Sequence, residues 1–122
     1  MNATICPVHQ AAMTNPAGIA YRFDDSTVTF LRFEESVDTA ARRLLSLAVS
    51  RGDRVAVLSE NSIAVATLVF ALPRIGASLV PLNLRLRAED WQYQCRQANV
   101  AVILCDQAHY HQVSDLDTRM LV

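Results

Sequence analysis

The sequence contains no lysine. All eleven of its basic residues are arginine, and twelve acidic residues bring the formal net charge to -1. Any mechanism that requires a lysine nucleophile, or a lysine on a phosphate group, is therefore absent from this chain. No stretch concentrates basic residues in the way that a surface for the phosphate backbone does, so nucleic acid is not expected as a partner.

Glycine and cysteine are also scarce. The three glycines, Gly18, Gly52 and Gly76, lie far apart, which excludes both the GxGxxG and the GxxxxGK[ST] phosphate loops. The three cysteines are odd in number and widely spaced, which excludes a closed disulfide framework and a CxxC zinc ribbon. This pattern favours a reducing, cytoplasmic compartment.

Targeting and membrane segments are not evident in the sequence. The first ten residues show no basic segment followed by an apolar run, so a signal peptide is not expected. The longest apolar stretch, residues 63–72, is shorter than the roughly 20 residues that span a bilayer, and it extends further only by burying Arg74. We predict a buried helix there, within a single domain whose 122 residues are 52% hydrophobic.

The chain begins with an irregular lead-in over residues 1–18, in which a short helix could start at residues 10–13. Residues 19–23 and 27–30 are β-rich, and the aspartates between them predict a hairpin with an Asx turn. The hairpin opens an α/β unit that we expect to cover residues 19–122.

An amphipathic helix is predicted after the hairpin, with Thr29 as its N-cap and Gly52 as its stop. Its apolar stripe has helical spacing. The stripe consists of Phe33, Val37, Ala40, Ala41, Leu44, Leu45 and Ala48.

Strands and helices alternate over the remainder of the chain. Asn61 and Ser62 are caps for the apolar helix, and Pro73 predicts a kink or an early end of it. The weak amphipathicity of this helix predicts that it is covered on most sides. This order predicts an α/β fold with a mostly parallel sheet and right-handed crossovers. We expect strands at residues 54–59, 77–82 and 100–104, a helix at residues 88–97, and the start of a fourth strand at residues 120–122.

Cys105, Asp106, His109 and His111 are the densest group of potential metal ligands. Their spacing matches no established ligand pattern, and two histidines two positions apart point in different directions on a helix. A solvated loop is therefore favoured over a zinc site, and we assign no metal ligand.

No catalytic residue is assigned either. Cys95 and Cys105 are expected in the core, and His9 is expected to be isolated on the surface. Glu89 and Asp90 are adjacent, which suits the first turn of a helix better than an acid/base pair.

Arg85 and Arg87 follow the second strand of the predicted sheet. Ligands of open parallel sheets bind beyond the carboxyl ends of the strands, where two arginines could receive a phosphate. The alternative is that they are solvated and pair with Glu89 or Asp90. The residues by themselves thus indicate an α/β domain without a self-contained active site.

Three blocks in order carry a family resemblance. They are R-G-D-R-V-A-V-L at residues 51–58, E-N-S at residues 60–62 leading into an apolar helix, and P-L-N-L-R-L at residues 81–86. From about residue 19 to residue 106 the chain resembles the acyl-adenylate-forming enzymes, which include acyl-CoA synthetases.

The resemblance implies a role in a larger enzyme. Members of this family activate a carboxylic acid with ATP and Mg²⁺, and commonly pass the acyl group to coenzyme A. Their phosphate loop, adenine segment, ribose-binding Asp and catalytic Lys lie downstream of the part that this chain resembles. We therefore expect the N-terminal subdomain of a multi-subdomain ligase, incomplete at its C-terminus, inactive alone, and prone to self-associate through an uncovered sheet edge.

The resemblance also implies one binding residue. Arg85 matches the arginine of the family's Pro-Leu-Asn-x-Arg-Leu segment, which in some ligases faces coenzyme A, so Arg85 is the candidate contact for a coenzyme A phosphate. Two departures concern local geometry. Arg32 stands where a capping-box Glu is usual, and Pro73 interrupts a helix that is normally continuous.

The lead-in also bears on the acid substrate. The Cys6-Pro7 lead-in is similar to bacterial o-succinylbenzoate-CoA ligases of menaquinone synthesis, while fatty acids, aryl acids and amino acids remain open. The alternative from another class is a non-catalytic α/β binding or assembly module. The reading frame after Val122 separates the two, since a Thr-Ser-Gly-Thr-Thr-Gly-like loop there favours the ligase.

Overall fold

The computed structural model describes residues 6–60 and 62–114, and the backbone of residues 119–121. The helices are α1 (Pro7–Thr14), α2 (Phe30–Ser46), α3 (Ile63–Arg74), α4 (Ala88–Gln97) and α5 (Tyr110–Val113), with a 3₁₀ turn at Gln107–His109. The strands are β1 (Ile19–Phe23), β2 (Ser26–Thr29), β3 (Arg54–Leu58), β4 (Ser78–Pro81), β5 (Val102–Cys105) and β6 (Arg119–Leu121). Helix α1 begins earlier than the lead-in helix expected at residues 10–13.

The strands form two sheets. The antiparallel pair of β1 and β2 is the predicted hairpin. The second sheet has the order β4-β3-β5-β6, and all of its described pairs are parallel. Val55 of β3 aligns with Leu79 of β4 and with Val102 of β5. The predicted α/β fold with a mostly parallel sheet is confirmed, including a strand close to the expected fourth position.

Helices cover both faces of the parallel sheet. Because successive side chains of a strand point to opposite faces, Val55 and Val57 of β3 face one cluster while Ala56 and Leu58 face another. The first cluster joins the sheet to α1, α2 and α3, and the second joins it to α4 and α5. This three-layer arrangement leaves the carboxyl ends of β3, β4 and β5 together at one edge.

Helix α2 is capped as predicted, because the Thr29 hydroxyl accepts a hydrogen bond from the Arg32 N–H at 3.2 Å. The prediction that Gly52 ends it is wrong. The helix stops at Ser46, and Ala48 takes the positive φ of 67°. Gly52, with φ of 88°, serves the turn before β3. The buried stripe of α2 consists of Phe33, Val37, Ala41 and Leu44.

Helix α3 is capped by Ser62, whose hydroxyl accepts a hydrogen bond from the Val65 N–H at 3.3 Å. The other predicted cap, Asn61, lies outside the described residues. The helix passes through Pro73 and ends one residue later, at Arg74, close to the end that Pro73 predicts.

The expectation that α3 is covered on most sides is wrong for the described structure. Ile63 is 38% exposed and Val69 is 44% exposed, since α2 and the sheet cover only one side of the helix. None of the described helices is both long enough and apolar enough to cross a membrane.

Candidate functional site

The loop after β4 is fixed by contacts with the core. The Leu82 N–H donates to the Val57 carbonyl at 3.0 Å, which continues the strand ladder. The Asn83 side-chain oxygen then accepts a hydrogen bond from the Arg85 N–H at 2.9 Å, and the Asn83 carbonyl accepts one from Trp91 Nε1 at 2.8 Å and one from the Leu86 N–H at 3.1 Å. Trp91 is only 1% exposed. The backbone at Arg85 is therefore held at the carboxyl edge of the sheet.

The two loop arginines differ in their partners. Arg87 Nε lies 3.8 Å from Glu89 Oε2, and both side chains are more than four-fifths exposed. The Arg85 side chain is exposed and makes no ion pair within the described residues. Pairing with a neighbouring acid thus holds for Arg87 and not for Arg85. Arg85 borders an open cleft of about 520 Å³ that Ser59 and Glu60 also line.

Asp106 joins the ends of β3 and β5. Its carboxylate accepts hydrogen bonds from the Ser59 hydroxyl at 3.3 Å, the Glu60 N–H at 3.2 Å and the His109 N–H at 3.0 Å. It also contacts His109 Nδ1. Partial burial opposes ionisation, but the hydrogen bonds from His109 and Glu60 outweigh it and hold the pKa of Asp106 below its ordinary value. The Asp106 carboxylate therefore connects the loop that follows β3 with the one that follows β5.

The residues considered for a metal are not assembled around one point. Asp106 and His109 touch each other, whereas Cys105 is buried and His111 is exposed with its ring against Tyr110. Among the residues that the structure describes, no group of three His, Cys, Asp or Glu side chains could hold a metal ion.

The two core cysteines are placed as predicted. Cys95 and Cys105 are buried, and burial raises the pKa of both thiols, with the charge of Asp106 adding to the effect at Cys105. Glu89 and Asp90 lie in the first turn of α4, where Asp90 accepts a hydrogen bond from the Arg87 N–H at 3.1 Å.

A second polar group, away from the sheet edge, was not predicted. The Arg74 guanidinium is buried and donates to both carboxylate oxygens of Glu34, at 2.6 and 2.8 Å. His9 Nδ1 lies 3.3 Å from Glu34 Oε2, so the expectation that His9 is isolated is wrong. The sequence signal was an arginine within an apolar helix, because a buried charge requires a partner.

Comparison with known proteins then decides the family. The sequence profile described as "AMP-binding enzyme" matches residues 8–121. The chain belongs to this family. Among curated AMP-binding relatives, the 2-succinylbenzoate-CoA ligase of Bacillus cereus (strain ATCC 10987 / NRS 248) is 35% identical over 98 residues, which are 80% of this chain and 20% of the relative. The chain thus spans about a fifth of the length of the curated relatives that it matches.

Solved AMP-binding enzymes share the fold. The o-succinylbenzoate coenzyme A synthetase of Bacillus subtilis in complex with AMP superposes with a TM-score of 0.88 at 24% identity, over 93% of this chain and 30% of that chain. Its complex with ATP and magnesium gives a TM-score of 0.84 at 25% identity, over 93% of this chain and 32% of that one. The α/β architecture described above is therefore that of a segment of an AMP-binding enzyme.

Proposed function

We propose that this chain is the N-terminal part of an ATP-dependent carboxylic acid-CoA ligase, with o-succinylbenzoate as the leading acid. The observation that carries the proposal is the family match over residues 8–121, together with the 35% identity to a 2-succinylbenzoate-CoA ligase. The chain alone is expected to be inactive, because none of its residues is assigned a catalytic role.

The proposed reaction has two steps. A carboxylate oxygen attacks the α-phosphorus of ATP and pyrophosphate leaves, which gives an acyl-adenylate. The thiol of coenzyme A then attacks the acyl carbon and AMP leaves, which gives the thioester. Adenylation is needed because a carboxylate is a poor electrophile, and Mg²⁺ and cationic side chains neutralise the phosphates.

The side chains of this segment fit only part of that chemistry. With no lysine and no glycine-rich loop, the sequence offers no built cradle for the ATP phosphates. Arg85 does suit a phosphate, since its guanidinium is exposed beside an open cleft and makes no ion pair within the described residues. We assign Arg85 to a phosphate of coenzyme A.

Isothermal titration of the chain with coenzyme A, and separately with Mg²⁺-ATP, tests this assignment. Loss of a charge-assisted hydrogen bond, about 1.5–3 kcal/mol, raises the Kd of an Arg85→Ala variant for coenzyme A by roughly 10- to 100-fold. Arg87→Ala is the matched control, because Arg87 is an exposed loop arginine that faces Glu89. Equal weakening by both variants indicates only a diffuse attraction, and no binding of either ligand indicates a scaffold.

Self-association of the chain stays a prediction. Apolar side chains of α2 and α3 are exposed in the described structure, with Leu45 at 53% and Val69 at 44%. These helices also border an apolar groove of about 420 Å³ that runs along the sheet. Uncovered apolar surface of this kind favours association.

A further inference from the structure

Cys6 belongs to a buried ionic cluster that ties together the first three helices. Arg74 Nη2, on α3, donates to Cys6 Sγ at 2.9 Å while the same guanidinium holds Glu34 of α2. His9 Nδ1, on α1, lies 3.3 Å from Glu34 Oε2, the oxygen that also accepts from Arg74 Nη1. The Arg74 side chain is 1% exposed, whereas the Glu34 and His9 side chains are 16% and 34% exposed, so the cluster runs from the interior to the surface.

The guanidinium has a donor that is not used. Arg74 Nε is buried and has no hydrogen-bond partner among the described residues, although Nη1 and Nη2 are both engaged. A buried donor without an acceptor adds to the cost of burying the guanidinium, and a second negative charge beside Nη2 offsets part of the cost of burying the positive charge. The cluster is therefore suited to a second anion besides Glu34.

The Cys6 sulfur is the group placed to supply that anion. Cys6 is the N-cap residue of α1, and the backbone N–H groups of Val8 and His9 favour its charged form. Burial opposes ionisation, but the hydrogen bond from Arg74 and the neighbouring backbone N–H groups hold the pKa of the Cys6 thiol below its ordinary value.

The charges around the sulfur come from each helix of the cluster. Arg74 on α3 is positive and Glu34 on α2 is negative, and His9 on α1 contacts the Glu34 carboxylate. Cys6 is half-buried, so small reagents can approach it, whereas Cys95 and Cys105 are buried.

We propose that Cys6 is a modification site whose thiolate exchanges with small disulfides. The Cys6 sulfur attacks one sulfur of the reagent, a new S–S bond to Cys6 forms, and the reagent's S–S bond breaks. The other half of the reagent leaves as a thiolate. Cys6 is thereby oxidised to a mixed disulfide, and the leaving half of the reagent is reduced. The oxidant is the small disulfide itself.

Modification also changes the packing of the first helix. A mixed disulfide places bulk next to a buried guanidinium, and the sulfur can no longer carry the negative charge that Arg74 faces. Helix α1 contributes Val8 and Ala12 to the buried interior. We expect the modified protein to unfold at a lower temperature than the reduced protein.

The test uses the folded chain and 5,5′-dithiobis(2-nitrobenzoate), a small disulfide that releases a coloured thiolate. Cys6 is expected to react at least about tenfold faster than Cys95 or Cys105, with the modified residue located by peptide mass spectrometry. A Cys6→Ser variant loses the fast phase. The pH midpoint of the fast phase lies below that of a free thiol.

Two variants separate electrostatics from loosened packing. Arg74→Met raises the pH midpoint of the Cys6 reaction, but it also weakens the fold. Glu34→Gln keeps the guanidinium and removes a neighbouring negative charge, so the midpoint moves further down. A rise of that midpoint in Glu34→Gln overturns the proposal. So does equal reactivity of the three cysteines in the folded protein, or a Cys6 midpoint equal to that of a free thiol.

Discussion

Arg74 and Arg85 show two uses of an arginine in one small domain. Arg74 is 4% exposed as a whole residue, and its guanidinium donates hydrogen bonds to Glu34 and to Cys6. Arg85 is exposed, and its side chain makes no ion pair within the described residues although its backbone is fixed through Asn83. One arginine joins helices, and the other is presented to solvent at the carboxyl edge of the sheet.

The difference follows from desolvation. A charge taken out of water must be compensated by partners, so the Arg74 contacts belong to the fold and are made whether or not a ligand is present. An exposed guanidinium keeps its hydration and leaves its donors available to a ligand phosphate. Removing Arg74 should therefore change stability, and removing Arg85 should change binding.

The largest effect is expected for Arg74→Met. This change leaves the Glu34 carboxylate without its bidentate partner. Removing one partner of a buried ion pair costs about 3–5 kcal/mol. The free energy of unfolding, measured by urea denaturation, should fall by that amount.

The matched control is Arg42→Ala, which removes the arginine of an exposed pair with Asp38 at 2.9 Å. Arg42 is 80% exposed, so the loss should stay below about 0.5 kcal/mol. Equal losses for the two variants would mean that burial does not set the strength of these pairs, and the comparison of the two arginines would fail.

A smaller effect is expected from pH. Partial burial raises the pKa of Glu34, but hydrogen bonds from Arg74 and His9 outweigh it and hold that pKa below the ordinary glutamate value. A carboxyl whose pKa is lowered in the folded state stabilises the fold above its unfolded pKa, and this stabilisation is lost as pH falls through the folded pKa. The Tm of the native chain should therefore exceed that of Glu34→Gln at neutral pH, and this difference in Tm should become smaller as the pH falls.

Glu35→Gln provides the control for that pH series. Glu35 precedes Ser36 on the same helix and is exposed, so its Tm gap should be small at every pH. A gap for Glu34→Gln that stays constant from neutral to acidic pH would contradict the assignment of Glu34 as the partner of the buried guanidinium.

Local signals in the sequence predicted most of the fold. The hairpin, the Thr29 cap and the helix at residues 88–97 follow from turn chemistry, capping and periodicity. The end of α2 did not, because Ala48 takes a left-handed conformation that alanine rarely adopts. That turn buries Val49, whose N–H donates to the Leu44 carbonyl at 3.0 Å. At Ala48, the burial of Val49 in the core therefore outweighs the preference of alanine for a right-handed backbone conformation.

The site was predictable only where it is local. The order of strands in the sequence predicts that Arg85 lies at the carboxyl edge of the sheet. The partners of Arg74 could not be predicted in this way, because Glu34 is 40 residues away in the sequence and Cys6 is 68 residues away. The apolar run around Arg74 indicates that its charge needs a partner. Only the packing of α1, α2 and α3 identifies Glu34 and Cys6 as the partners.

The smallest effect concerns the contact by which the core holds the loop after β4. Trp91→Phe removes the hydrogen bond from Nε1 to the Asn83 carbonyl, which still accepts one from the Leu86 N–H at 3.1 Å, so the loss of stability should be about 1–2 kcal/mol. Tyr93→Phe, at a 64% exposed position of the same helix, is the control and should change little. Because the loop that carries Arg85 is then less well held, coenzyme A titration should show weaker binding for Trp91→Phe than for Tyr93→Phe. Unchanged binding together with the expected loss of stability would show that the exposed guanidinium needs no support from the core to meet its ligand.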